Sequence, residues 1–456
     1  MTFSSATFLF LFLPVTFLLY RLMPSMRAKN ALLTVTSVLF YAFGEPLYVV
    51  LLLLSAAVNH ALALALSRRR SRAILACAVV FNLALLGVFK YAGFAVRMLA
   101  LLPGVSLPVP EIPLPIGISF YTFQILSYVV DVWRGDTAPQ RSFADLLLYI
   151  SFFPQLIAGP IVKYHDIDAQ IRCRAESPEK CAAGIRRFLA GLSKKLLLAN
   201  TCGMIADAAF GENAPGTALA WLGAFAYCLQ IYHDFSGYSD MAIGLGYMFG
   251  FDIPENFNYP YASGSIKEFW RRWHISLSTW FKEYLYIPLG GSRCGRLRTY
   301  RNKLIVFFTT GLWHGASLNF IVWGLWHGFF SVLEDFIQPQ KKKWLAPLWR
   351  PLTLLAVLIG FVFFRAESLT GAAAFLGAMF SAAPSGATLS ACLNGYNIFI
   401  LVLALVLSFP VVPALRRLTG ERAASIAACA GSAALFAACV TDLASSTFNP
   451  FIYFRF

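Results

Sequence analysis

The chain has 456 residues, 58% of them hydrophobic and only 13% charged, with a mean hydropathy of +0.65. A soluble domain carries roughly a quarter charged residues, so the composition excludes one and points to an all-α polytopic membrane protein, a single integral-membrane domain over residues 1–456. The net charge of +15 does not signal a nucleic-acid partner. Lys and Arg cluster in short segments between apolar runs, the pattern that cytoplasmic loops show.

MTFSSATFLFLFLPVTFLLYR lacks a basic n-region and a small-residue cleavage site, so it reads as a retained first span over 3–20. The basic RLMPSMRAK that follows places that loop in the cytoplasm and the N-terminus outside. Residues 30–66 form an apolar hairpin broken at Gly44-Glu45-Pro46 and closed by SRRRSR, with His60 as a packing or interfacial residue. Residues 73–89 go out again. The segment 103–117, PGVSLPVPEIPLPIG, cannot be continuous helix, because each Pro removes a donor and clashes with the preceding turn.

Gln124, Asp131, Gln155, Gly159 and Pro160 then interrupt apolar surroundings. Broken backbone at membrane depth is tolerated where it is buried in protein or lines a wet cavity, which suggests an internal tunnel. Residues 163–187 are charged and mixed and read as a loop. GIRRFLAGLSKKLLLAN reads as a helix starting at the cytoplasmic surface. The run 218–250 concentrates His233, Asp234, Ser236, Ser239 and Asp240, and its two carboxylates are either relay groups or braces of helix ends. Beyond a cytoplasmic KKKWLAPLWR lie further spans near 371–382, 396–414 and 423–441, about eleven in all. The tail NPFIYFRF suits a membrane interface as an aromatic–Arg anchor.

The densest stretch is 263–330, which holds His274, His314 and His327. Phe269, Trp273, Leu277, Trp280, Phe281 and Tyr284 fall at helical spacing, so Lys267–Tyr284 reads as one amphipathic interfacial helix with His274 at the edge of its two faces. GGSRCGRLRTYRNK reads as a basic cytoplasmic loop; an orientation signal accounts for it, and so do contacts to the phosphates of a nucleotide-containing donor. Between that loop and 341–343 lies an apolar hairpin containing Gly311, Gly315 and Gly324. Eleven residues of helix separate Lys303 from His314, or ~16 Å of a bilayer core ~30 Å thick. His314 is thus expected near the midplane, where a neutral imidazole tolerates burial and can act as a base. His327 reads as packing.

The chain has no H-E-x-x-H, G-x-S-x-G or G-x-x-x-x-G-K-[ST], so a metalloprotease, a serine hydrolase and a pump are not supported. Its nine cysteines show no C-x-x-C and no zinc spacing, and no disulfide framework, metal or resident cofactor is expected.

EFWRRWHISLSTWFKEYLYIPLGG, GLWHGASLNFIVWGLWHG and FFRA resemble the membrane-bound O-acyltransferase family. LPIGISFYTFQILSYVVDVWRG, FFPQLIAGPIVKY and IYHDFSGYSDMAIGLG resemble more narrowly its bacterial polysaccharide branch, of the alginate O-acetylation type. The resemblance runs in order over nearly the whole chain. It implies a helical disc in the bacterial cytoplasmic membrane, with re-entrant and interfacial helices and a central tunnel joining a cytoplasmic donor side to an extracytoplasmic funnel. His314 matches the family's catalytic histidine and His274 its second functional one. The implied donor substrate is acetyl-CoA. The implied acceptor is a surface polysaccharide, reached directly or through an extracytoplasmic acetyltransferase partner.

On that reading Lys194, Lys195, Trp270, Arg271, Arg272, Trp273 and Arg293 are candidate donor contacts. Gln155, Asp234, Ser236, Trp313 and Gly315 are candidate tunnel-lining groups. His233 stands where many members have Phe. D-alanyl transfer from a carrier protein to teichoic acid, and a carrier that moves an acyl group or lipid-linked sugar without bond-making, remain as alternatives.

Overall fold

The computed structural model describes residues 1–103 and 107–445, with the side chains of 416, 419 and 421–425 outside the description. The tail anchor and part of the Pro-rich segment therefore lie outside the described residues. The rest is helical, without a β-strand among the described residues. It groups into two compact units, Met1–Phe188 with Asp240–Pro254, and Leu189–Ser239 with Glu255 onward.

In the first unit, α1 (Leu13–Leu22) follows a π turn at Phe8–Phe12, so the first apolar helix is short. α2 (Met26–Gly44) and α3 (Tyr48–Arg68) are separated where Gly44-Glu45-Pro46 demands it. Ser25 caps α2 by accepting from Ala28 N–H. α4 (Arg72–Leu86) runs on through a π turn to Leu99. The described part of the Pro-rich segment is irregular, as the missing donors require. α5 (Ile118–Arg134) is buried along almost its whole length. α6 (Phe143–Ser151) is followed by a short helical turn at Phe153–Leu156 and then by broken backbone around Gly159, which has φ +103°.

The charged segment 163–187 is not a loop. It forms α7 (Tyr164–Arg172) and the start of α8 (Pro178–Ser193). Tyr164, Ile167 and Ile171 share one buried face of α7, while Asp168 and Arg172 pair four residues apart on the exposed side. The helical period was present beneath the charge.

In the second unit, α8 runs through a π turn into α9 (Asn200–Gly211), and α10 (Thr217–Met248) carries the polar run up to Ser239. The single interfacial helix expected over Lys267–Tyr284 is two. α11 (Ile266–Arg272) and α12 (Ile275–Phe281) are broken at Trp273–His274, where His274 takes the left-handed conformation. The basic loop 293–303 is helical from Arg296 onward, as the first turns of α13 (Arg296–His314). A three-residue turn then leads into α14 (Leu318–Ile337), followed by α15 (Ala346–Arg365), α16 (Leu369–Met379), α17 (Gly395–Leu407) and α18 (Glu421–Ser445).

Five helices among the described residues are long and apolar enough to cross a membrane: Tyr48–Arg68, Arg72–Leu99, Leu318–Lys341, Ala346–Arg365 and Ile426–Ser445. The sequence reading of about eleven spans also counted shorter helices, such as α16 and α17, and more polar ones, such as α10 and α13. Leu39, Phe43, Val50, Leu54 and Val80 are exposed on the spans or beside them, a lipid-compatible surface that water would not favour.

Candidate active site

Two histidines of the second unit, His314 and His274, owe their place to a helix end. His314 is the last residue of α13, where Gly315 adopts extended backbone and stops the helix. That glycine is required by packing: a Cβ on it would lie 2.2 Å from the Phe320 ring. The Gly therefore admits an aromatic ring of the returning limb. α13 and α14 pack closely through Gly324, whose added Cβ would lie 2.2 Å from the Phe307 carbonyl oxygen.

α14 also anchors the neighbouring elements through two acids that sequence reasoning passed over. Glu334 is buried and accepts from the backbone N–H of Ile266 and Lys267 and from Trp349 Nε1, holding the start of α11. Asp335 pairs with both Lys267 and Lys303. The signal was two adjacent carboxylates late in an apolar span, which need fixed partners.

At the kink between α11 and α12, His274 has φ +44° and ψ +54°. A left-handed non-glycine residue costs on the order of 1–3 kcal/mol and persists only when its surroundings dictate it. Residues 256–258 do so. Asn256 carbonyl accepts from Ile275 N–H at 3.0 Å, and Asn258 N–H donates to Arg272 carbonyl at 2.9 Å. Asn256 Oδ1 accepts from Ser276 N–H at 3.2 Å and from Ser276 Oγ at 2.9 Å, and lies 3.2 Å from His274 Nδ1.

The outcome is that two buried imidazoles, forty residues apart in sequence, have ring centres 6.3 Å apart. Trp313 lies 6.0 Å from the His274 ring and 4.9 Å from the His314 ring. Trp323 and Phe364 pack edge-on to His314 at 4.9 and 5.2 Å, and Phe235 packs edge-on to His274 at 4.6 Å. His274 lies outside the five membrane-length helices, and burial pushes its pKa down to about 3, so this imidazole is neutral. Trp323 was not singled out from sequence. Its indole Nε1 is buried without a hydrogen-bond partner among the described residues, a donor beside His314. His327 is enclosed by Phe269, Trp270 and Trp323, in keeping with packing.

The remaining candidates separate into groups. Trp313 and Gly315 belong to the histidine pair's surroundings. Ser236 is buried on α10, and Gln155 lies in the first unit, where its Nε2 donates to the Tyr149 carbonyl. Trp273 is buried in an aromatic core with Phe257, Phe269 and Phe361, rather than standing as an accessible donor contact. Trp270 packs on Phe307, Trp323 and His327. Arg272 is held by Glu268 at 2.9 Å, whereas Arg271 and Arg293 are exposed and Lys194 is partly exposed.

Lys195 is corrected most clearly. Its ammonium is buried 2.9 Å from Asp234, with side-chain exposures of 6% and 1%. A cation enclosed in that way is not disposed as a phosphate contact, and Asp234 is equally committed. Asp240 pairs with Arg187 at 2.8 Å, so both carboxylates of the polar run brace helices. His233 is a brace as well: its Nε2 donates to the Ala404 carbonyl at 2.8 Å and ties α10 to α17.

Breaking one partner of a buried ion pair costs about 3–5 kcal/mol, because a charge is left desolvated. Lys195→Met is therefore expected to lower the thermal midpoint of the detergent-purified protein sharply. The double variant Lys195→Met/Asp234→Leu should regain much of that loss, as read by a dye-based melting assay.

The family model for MBOAT, the membrane-bound O-acyltransferase family, matches residues 1–370. The chain is 41% identical to a protein named "Probable alginate O-acetylase AlgI" from Azotobacter vinelandii, over the whole of both chains. It is 45% identical to a protein of the same name from Pseudomonas aeruginosa, covering 84% of this chain and 75% of that one. A "Peptidoglycan O-acetyltransferase" from Helicobacter pylori is 35% identical over 81% of this chain and 78% of the relative.

Proposed function

The chain belongs to the membrane-bound O-acyltransferase family, and from that premise we propose that it moves an acetyl group from cytoplasmic acetyl-CoA to a hydroxyl of an extracytoplasmic polysaccharide, directly or through a partner acetyltransferase. It is an acyltransferase and a multi-pass membrane protein. Its place is the bacterial cytoplasmic membrane with the N-terminus outside, and its architecture about eleven spans with an internal tunnel. The observation that carries the reading is the pairing of two buried histidines at helix ends, 6.3 Å apart, in the segment that holds the resemblance.

His314 acts as general base. It takes the proton of the acceptor hydroxyl as that oxygen attacks the thioester carbonyl. The tetrahedral intermediate collapses with breakage of the C–S bond, and the coenzyme thiolate leaves and takes the proton from the imidazolium. Trp323 Nε1 supplies a hydrogen bond to the oxyanion in a dry site, where one such donor is worth about 10²–10³ in rate. Arg271 and Arg293 are exposed and Lys194 partly so, and these are the candidate contacts for the donor's phosphates.

Trp323→Phe keeps the ring and removes the donor, so kcat is expected to fall by about 10²-fold with the donor's KM little changed. The activity itself is tested with radiolabelled acetyl-CoA and purified protein in proteoliposomes. Release of free coenzyme A and labelling of added polysaccharide support it. Inert acetyl-CoA alongside turnover of a D-alanyl carrier protein sinks it, and translocation without thioester cleavage argues for a carrier. The names of the acetyl-transferring relatives speak for acetyl over D-alanyl.

A further inference from the structure

We infer that Asn256 is a positioning residue that holds His274 as the Nδ1–H tautomer, so that His274 Nε2 serves the site as a hydrogen-bond acceptor for an O–H or N–H group of a bound substrate. The inference rests on the acyl-transfer reading for its role and on geometry alone for the tautomer. Amide oxygen and nitrogen are ordinarily interchangeable in such networks, but here a backbone N–H decides. Ser276 N–H can only donate, and it points at Asn256 Oδ1 at 3.2 Å, so that atom is the oxygen. The amide nitrogen is accordingly the atom that donates to Ser239 Oγ at 3.1 Å.

An oxygen facing His274 Nδ1 at 3.2 Å requires the proton on Nδ1. A neutral imidazole then carries its lone pair on Nε2, and this nitrogen is buried without a hydrogen-bond partner among the described residues. A buried acceptor left open in the protein is costly, which suits a position completed by substrate. An Nε2 that accepts cannot also donate to an oxyanion. His274 is thereby separated in role from the indole N–H of Trp323.

The groups facing His274 are few. α13 presents His314 and Trp313, α10 presents Phe235, and the 256–258 segment presents Asn256. Among the charged groups near these residues in sequence, Asp234 is tied to Lys195 and Arg272 to Glu268, while Glu255 adjoins Asn256.

Two measurements test the inference. Nitrogen-15 histidine spectra of the wild-type membrane protein, with His274 assigned from the signal lost in His274→Gln, are expected to show a pyrrole-type Nδ1 and a pyridine-type Nε2. The reverse pattern overturns the tautomer whatever the protein's activity. In the acetyl-transfer assay, Asn256→Ala is expected to lose about 10–100-fold in kcat, the size seen when a histidine's orienting partner is removed. Asn256→Asp keeps an acceptor at Nδ1, so at pH 8 it should retain activity within about tenfold of wild type. Its carboxylate favours the imidazolium and raises the His274 pKa, so its rate should fall more steeply than wild type as the pH drops below about 6. Equal losses in both variants at every pH would leave Asn256 a merely structural residue and overturn the role. Absence of acetyl transfer in the wild type itself, with the tautomer pattern as expected, overturns the acyl-transfer reading and not the tautomer.

Discussion

His314→Ala is expected to fold, to bind donor, and to lose acetyl transfer by about 10²–10⁴-fold, the contribution of a positioned base. That corresponds to about 3–5 kcal/mol of transition-state stabilisation. The residue ends α13 and is enclosed by Trp313, Trp323 and Phe364. Truncation therefore leaves an aromatic-walled space. Mass spectrometry of surface polysaccharide from cells carrying wild type or variant, normalised to membrane-inserted protein, reads the loss directly. Full acetylation by a well-folded His314→Ala protein would remove His314 from the chemistry. Two further variants calibrate the result. Trp323→Phe should lose less than His314→Ala, and His327→Leu should affect stability more than rate, because His327 is a packing residue among Phe269, Trp270 and Trp323.

Gly324→Ala should be the most damaging small substitution in the hairpin. The new methyl would lie 2.2 Å from the Phe307 carbonyl oxygen and 3.1 Å from Gly311 Cα, both backbone atoms that no rotamer change can move. Overpacking of this kind typically costs about 1–3 kcal/mol. Relief requires α13 and α14 to separate, which also displaces the end of α13 that carries His314. Loss of activity and a lower thermal midpoint are expected together. Gly377→Ala on α16 is the control: nothing lies within 4 Å of the added methyl, so only helix propensity changes, in the stabilising direction. A Gly324→Ala protein with wild-type melting and rate would show that the hairpin tolerates a wider spacing than its packing indicates.

The two outcomes differ in kind, since one removes a reacting group and the other the frame that holds it. Comparing rate with melting separates them. His314→Ala should change the rate with little change in melting, whereas Gly324→Ala should change both.

Much of this protein was legible in the sequence because the membrane simplifies the physics. Apolar length and basic loops marked the hairpin at Gly44-Glu45-Pro46 and the returning limbs around His314, since a lipid environment allows few alternatives to helix. His314 stood out for the same reason, as an ionisable group in an apolar run. α7 and the start of α8 were missed because the charge of 163–187 outweighed a short buried stripe at Tyr164, Ile167 and Ile171 on α7. The kink at His274 was missed because periodicity continues across it. Phe269, Trp273 and Leu277 keep helical spacing although the backbone between them turns left-handed. That conformation is imposed by residues 256–258, and no local propensity specifies such a long-range contact. The fate of Lys195 was equally tertiary: a basic residue near a helix end reads as accessible until the carboxylate of Asp234, thirty-nine residues away, is found against it. Sequence alone supplied the class of protein, its richest segment and the first histidine. Only the tertiary structure brought the second histidine beside it and set the amide oxygen of Asn256 against its ring, because the hydrogen bonds that do so join residues with no periodic relation to one another.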